Sequence, residues 1–402
     1  MRSSQSGDLR SPQADTHPSE RLESWKAIAN YFDRTVRTVQ RWEQCEGLPV
    51  RRHRHSDGAS AYAYVTELEA WRSVRSKGSN PVAIPADARA QFVRGQYFLN
   101  LRTKPSLTAA IGEFKQALRV EPAWVDPYLG IATAYLALSA NEFWSPKDGY
   151  PRARATAKQA LEVVPGVAAA RTVLAFVGAF YDSAWEESLR QLDEAIRLQP
   201  ELVEARYFRG VILMNLGEFD AALRELTCAS ELAPLSAAIL ANIGRPLMCA
   251  GEYEQASEWF ERAVELEPDL WIPHLFLGWC LDGQRRYEQA LTAFKRARQL
   301  SDNISGCLAS TARCLAAAGD RQGAMEIVEE LQANSGRSYI SPVRIARVYV
   351  ALDRVDQAFA WLDRACSDHS IRNNMYLPYD YAFASVRHDP RFVRFLRDRL
   401  FL

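Results

Sequence analysis

The chain has 402 residues, 49 basic and 49 acidic side chains, 48% hydrophobic residues and 11% aromatic ones. That apolar and aromatic content excludes a mostly disordered chain, and a formal net charge of zero excludes a protein that coats nucleic acid along its whole length. At roughly 150 residues per domain the length predicts two or three domains, unless repeats extend one of them.

Residues 1–19 are polar, with Ser and Pro, and are expected to form a disordered tail. They hold no apolar run of the kind a secretory leader needs, which places the protein in the cytoplasm. The most apolar stretch, Val167 to Phe180, is 14 residues long and carries Arg171. Spanning a bilayer takes roughly 18 or more, so it reads as a buried helix and no membrane partner is expected. The seven cysteines are scattered and odd in number, which suits reduced thiols better than a disulfide framework.

From Arg21 the pattern changes. Trp25, Ile28, Ala29 and Phe32 fall on one helical face, and Asp33-Arg34 interrupts it. Thr35 can cap a second helix in which Val36, Val39 and Trp42 face inward. Arg37, Thr38, Gln40, Arg41 and Gln44 then face outward, and Gly47-Leu48-Pro49 ends the helix. Two strands follow, Val50–His55 and Ala61–Tyr64, with the Asp57-Gly58 pair as turn signal. A third helix, Thr66 to Ser76, is expected to bury Leu68 and Trp71. Helix, turn, helix, hairpin, helix predicts a winged helix-turn-helix.

Between Arg34 and His55 six arginines (Arg34, Arg37, Arg41, Arg51, Arg52, Arg54) face two acids, +4 in 22 residues, so the remainder of the chain carries −4. A basic helix beside a basic hairpin is an electrostatic footprint for phosphate. Residues 21–76, and VRTVQRWEQCEGLP above all, resemble the MerR- and excisionase-type DNA-binding domain. The resemblance implies Thr35–Glu46 as recognition helix. Arg34, Arg37, Thr38, Gln40, Arg41 and Gln44 would then contact DNA from the helix side, and Arg51, Arg52 and Arg54 would contact the backbone from the wing. Those regulators dimerise through a long helix after this domain. Here a KGSNPVAIPAD linker follows, so avidity would come from a homodimer of another kind or from a partner.

The rest of the chain repeats. Pro200, Pro234 and Pro268 stand 34 residues apart, as do Gly210, Gly244 and Gly278, and likewise Ala195, Ala229, Ala263 and Ala297. A bulky residue recurs at Leu192, Leu226, Phe260 and Phe294. Four columns in register resemble the tetratricopeptide repeat, a 34-residue helix–turn–helix unit. Small residues such as Gly210 and Ala222 let paired helices approach, and Leu226 is expected to fill the gap to the next unit. Gly217 and Gly251 suit left-handed helix ends, and the prolines stop the second helices. The unit ending at Pro165 is long because Asn141–Pro151 is inserted between its helices. About eight units are expected, followed by a tail closed by an Asp389-capped helix with Phe392, Phe395, Leu396 and Leu400 on its apolar face.

In the tetratricopeptide family, four positions of each first helix face the concave side. Carried over, they include Tyr207, Val211, Met214, Arg245, Met248, Leu275, Trp279, Arg313 and Arg347, with Arg245, Arg313 and Arg347 in one column. This groove reads either as a site for a peptide bearing acidic and aromatic or apolar side chains or as a solvated arginine column. The family's Lys/Asn clamp for chain-end carboxylates does not stand out.

No glycine-rich phosphate loop or nucleophile–base spacing appears, and His274, His369 and His388 are isolated. Cys45 with His53 and His55 is too thin a ligand set for a metal, and Cys280 and Cys314 read as small packing residues. No catalytic residue, cofactor or metal is expected. The sequence therefore predicts a mainly α protein: a tail (1–19), a winged helix-turn-helix DNA-binding domain (20–76), a linker (77–88), a tetratricopeptide solenoid (89–368) and a C-terminal capping segment (369–402). It reads as a DNA-binding transcriptional regulator whose solenoid binds a protein or peptide. The alternative is a non-enzymatic scaffold in which the first domain contacts protein.

Overall fold

The computed structural model describes residues 21–32, 35–46, 48–55, 58–69, 84–301, 304–334 and 339–400. They divide into two compact units, Met1–Ala83 and Ile84–Leu402. The tail 1–19, the Asp33-Arg34 break, Gly47, the Ser56-Asp57 turn, Trp71 and most of the linker lie outside the described residues.

In the first unit, α1 (Trp25–Tyr31) starts at Ser24, whose hydroxyl accepts from the Ala27 amide. Thr35 does the same for Thr38 at the start of α2 (Val36–Glu46), the side-chain cap that satisfies an otherwise unpaired helical N–H. Strands β2 (Arg51–His55) and β3 (Gly58–Tyr64) pair antiparallel from Arg51↔Tyr62 to His55↔Gly58. Gly58 and Ala59, expected in the turn, therefore belong to the ladder. A short strand β1 (Arg21–Leu22), which the sequence did not announce, adds to the other edge of β3. Two residues give too little alternation to read. A helical turn follows at 65–69. Ile28, Ala29, Val39, Trp42, Leu48, Ala63 and Leu68 make the core.

The second unit is eight antiparallel helix pairs. They are α3 (Ala86–Leu101) with α4 (Lys104–Val120), α5 (Val125–Ala140) with α6 (Pro146–Val163), and α7 (Ala168–Asp182) with α8 (Trp185–Leu198). Next come α9 (Val203–Asn215) with α10 (Phe219–Leu232), α11 (Ala237–Ala250) with α12 (Tyr253–Leu266), and α13 (Trp271–Gly283) with α14 (Tyr287–Leu300). The last are α15 (Ile304–Ala318) with α16 (Arg321–Ala333) and α17 (Pro342–Ala351) with α18 (Val355–Ser367). Second helices bury a narrow stripe such as Ala222, Leu226 and Ala229. First helices are covered almost all round, as α11 is from Ala237 to Gly244, because they face both their partners and the solenoid interior.

The glycine column marks where paired helices come closest. A Cβ on Gly210 would lie 2.7 Å from Leu226 Cγ, and one on Gly244 2.6 Å from Phe260 Cε1. The bulky residue thus packs under the glycine of its own unit, and the Phe260 ring also meets Phe276 of the next edge-on at 5.9 Å. Phe114 does both, since it meets Gly95 of its own pair and Gly130 of the following one. Gly217 and Gly251 take φ of 83° and 89° after their helices, the left-handed region that only glycine enters without strain.

The insertion after α5 is largely helical. Ser145 caps α6, Pro146 occupies its first turn, and Pro151 lies inside the helix. Only 141–145 remains as loop, and there Glu142 adopts φ 59°, a conformation that costs a side-chain-bearing residue about 1–2 kcal/mol.

The tail departs from a simple end cap. Helix α19 (Pro390–Leu400) does cap the last pair: Asp389 accepts from the Arg391 amide at 2.8 Å, and Phe392 and Phe395 are buried. The Leu400 side chain lies outside the described atoms. The preceding 3-10 segments, Ser370–Asn374, Leu377–Tyr379 and Tyr381–Val386, instead run into the concave face. Tyr379 packs on Gly217 and edge-on to Phe219, and Tyr376 joins Met214 in a small core. Among the described residues no helix is long and apolar enough to cross a membrane.

Candidate functional site

Two surfaces carry the residues singled out by sequence. On the first, Val39 and Trp42 are buried and hold α2 so that Arg37 is exposed, with Thr38, Gln40 and Arg41 half-buried. The Thr38 hydroxyl stands 2.9 Å from that of Thr35, so it is engaged at the helix start. On the hairpin, Arg52 pairs with Glu43 of α2 at 2.9 Å and Arg51 with Glu67 at 2.6 Å. Their guanidiniums also lie over Trp25 and Tyr64. Both arginines keep about half their side-chain surface, 54% and 53%. Arg34 and the side chains of Gln44, Cys45, His53, Arg54 and His55 lie outside the described atoms. Glu67, beyond the stretch in which charge was counted, partly neutralises Arg51.

The second surface is the inner face of the solenoid. Here Met214 and Met248 are buried, at 1% and 6% exposure, and Tyr207 is half-buried. Trp279 donates its indole N–H to Ser310 Oγ at 2.9 Å. Two of the three arginines in the column, Arg313 and Arg347, do not face open water. Arg313 forms an ion pair with Asp282 and lies over the Tyr381 ring. Arg347 pairs with Asp380 at 2.7 Å and donates to Asn374 Oδ1 and the Tyr376 hydroxyl at 3.0 and 3.1 Å. Burial works against the Arg347 charge, yet Asp380, Tyr376 and Glu142 together raise its pKa above the ordinary value. Arg245 donates to Asn242 Oδ1 at 3.2 Å and sits over Phe276 and Tyr376.

The acidic and aromatic groups that answer these arginines come largely from the chain's own residues 376–381. A second set closes the solenoid across its interior. Arg344, one turn before Arg347, pairs with Glu142 of the insertion loop, and Asn374 donates to the same carboxylate at 3.4 Å. Burial pushes the Glu142 pKa up, but Arg344, with help from Arg347 and Ser341, more than offsets this and holds it below 4.5. Tyr150 donates to Asn373 Oδ1 at 2.7 Å, and the Trp271 indole donates to the Arg102 carbonyl at 3.1 Å. Sequence reasoning missed Glu142, Arg344, Tyr376 and Asp380. The available signal was that both the insertion and the tail break the 34-residue register.

Cys280 and Cys314 are buried, and their thiols face the carbonyls of Tyr253 and Tyr287, equivalent atoms in successive units. His369 stacks on Tyr181 at 5.0 Å. Among the described residues no group of three His, Cys, Asp or Glu could hold a metal.

A tetratricopeptide repeat model matches residues 178–227 and 242–304. Human tetratricopeptide repeat protein 13 is 30% identical over 112 residues, 28% of this chain and 13% of that protein. The transcriptional regulator HilA of Salmonella typhimurium is 24% identical over 152 residues, 38% of this chain and 27% of HilA. This chain therefore spans well under a third of either relative. Among solved structures, that of the APC/C hetero-tetramer Cut9-Hcn1 aligns with a TM-score of 0.53 at 15% identity, covering 77% of this chain and 59% of that one. The stretches 178–227 and 242–304 thus match the tetratricopeptide repeat, and the second unit is an α-solenoid of tetratricopeptide-like helix pairs.

Proposed function

We propose that the chain is a DNA-binding transcriptional regulator: the first unit docks on duplex DNA and the solenoid receives a protein or peptide partner. One observation carries this reading. A two-residue anchor, Val39 and Trp42, presents Arg37 exposed on a helix beside Arg51 and Arg52 on a hairpin. Cations spread over a helix and an adjoining hairpin fit phosphates along a groove, and an exposed helical Arg can read guanine in two hydrogen bonds. The partial likeness to a transcriptional regulator is in keeping with it. Arg34, Thr38, Gln40, Arg41, Gln44 and Arg54 complete the proposed contact set.

At the solenoid, a partner reaches Tyr207, Arg245 and Trp279 on the inner face. It engages Met214, Met248, Arg313 and Arg347 only by displacing residues 376–381. The scaffold reading has its own support, because Arg51 and Arg52 already hold carboxylates of the same chain.

Fluorescence anisotropy of the full chain with random-sequence duplex DNA across a salt series separates the two. Phosphate binding weakens by about one unit of log–log slope for each phosphate neutralised. Steep salt dependence, lost in Arg37→Ala/Arg41→Ala and reduced in Arg52→Ala/Arg54→Ala, is the expected result. Absence of binding at low salt overturns DNA docking and leaves the scaffold.

A further inference from the structure

The solenoid interior encloses a cavity of about 280 Å³, bounded by the first helices from α3 to α13, the Glu142 loop, Arg344 and the C-terminal segment. Its walls join an aromatic side, with Phe176, Phe208, Trp271, Phe276, Trp279 and Tyr376, to polar groups that include Arg245, Arg344, Glu142 and Glu204. Aromatic lining with a few convergent polar groups is the usual make-up of a small-molecule site.

The polar groups are unevenly satisfied. Of the three arginines in the column, Arg313 holds Asp282 and Arg347 holds Asp380. Arg245 forms no ion pair among the described residues. Its one hydrogen bond goes to Asn242, whose amide is itself oriented by donating to the Ala238 carbonyl at 2.8 Å. In the run 237–248 every residue but Arg245 is buried, and Arg245 lines the cavity.

A second cation flanks the same wall. Phe276 and Trp279 stack at 5.2 Å, with the Arg245 guanidinium 5.2 Å from the first ring and that of Arg344 5.4 Å from the second. Arg344 is itself about nine-tenths buried, and its Nη1 has no hydrogen-bond partner among the described residues; neither has Oδ1 of buried Asn215, another wall residue. Buried polar atoms in folded proteins are nearly always paired. The unpaired Nη1 leaves the buried Arg344 cation incompletely compensated beside the aromatic wall, next to Arg245, which lines the cavity and forms no ion pair among the described residues.

We propose that this cavity binds a compact aromatic carboxylic acid. Arg245, with the Arg344 charge beside it, takes the carboxylate, and the aromatic wall takes the ring. Glu142 does not oppose the anion, since Arg344 and Asn374 already engage its carboxylate. The site stands independently of DNA docking by the first unit.

The test is calorimetry and tryptophan fluorescence on the full chain with para-hydroxyphenylacetate, its neutral amide, and the peptide N-acetyl-Gly-Gly-Tyr with a free carboxylate. The acid is expected to bind one-to-one and to quench or shift tryptophan emission, with the amide weaker by about tenfold or more. Arg245→Gln should weaken the acid about tenfold while melting like the parent, and Arg245→Lys should recover part of the loss. The acid-against-amide contrast needs no variant, so a folding defect cannot hide the answer. Acid that fails to bind up to roughly 10 mM, acid and amide that bind alike, or an Arg245→Gln protein of unchanged affinity overturns the site. Binding of the peptide alone overturns it too, by showing that the cavity reads a chain end.

Discussion

In the N-terminal unit, Arg37 is exposed on α2, and Arg51 and Arg52 keep about half their surface in water while pairing with Glu67 and Glu43. In the solenoid, Arg313, Arg344 and Arg347 retain 10 to 12% of their side-chain surface and hold Asp282, Glu142 and Asp380. A charge count along the chain treats these sets alike. Their physical roles differ, because water screens the first set and leaves its field available to a partner, whereas burial makes each inner charge depend on its own carboxylate. Local arginine density therefore indicates a docking surface only where the fold keeps the arginines outside.

The largest test breaks an inner pair. Asp380→Ala leaves Arg347 buried without its carboxylate and should cost about 3–5 kcal/mol, read as a lowered urea midpoint of the solenoid. A loss below about 1 kcal/mol would mean that residues 376–381 leave the groove readily.

An intermediate effect comes from Glu142, whose pKa lies below its ordinary 4.5 in the folded chain. The unfolded state then binds protons that the folded state does not, so the stability from Glu142 is complete above the unfolded value and is lost as pH falls from there through the lower folded value. As pH falls below about 5 the solenoid should lose stability. Glu142→Gln should flatten that limb while lowering neutral-pH stability by about 2 kcal/mol. Melting curves across that range decide it; parallel limbs in parent and variant would assign the acid response to other carboxylates.

The smallest expected change is at the surface. Glu43→Gln should alter folding stability by less than about 1 kcal/mol, yet release Arg52 for phosphate and steepen the salt dependence of DNA binding by about one unit. A large stability loss there would make the Arg52–Glu43 pair a structural tie between helix and hairpin.

The helix pairs were legible because their causes are local. A proline two residues past a helix end, a glycine in the left-handed region and a small residue facing a large one each act within one unit, and the 34-residue period repeats them. The inner site was not legible in the same way. Asp380 is 33 residues from Arg347 and Glu142 is 202 from Arg344, and no periodicity links such pairs. The tail looked like a cap because it left the repeat pattern, and α19 is one. Nothing local in YLPYDY says that this segment turns inward.

What the sequence determined by itself was the unit: which residues pair into hairpins of helices, where each helix stops, and which face of α2 carries arginine. These follow from propensity, capping and steric fit between neighbours. Only the tertiary structure decided what the inner face meets. The curvature of eight stacked pairs brings the insertion loop against α17 and the tail against α9 to α17, so that Glu142 and Asp380 reach arginines far away in sequence. Burial there rewards only complete charge pairing, and Arg245 is the member of the column that has no carboxylate partner among the described residues.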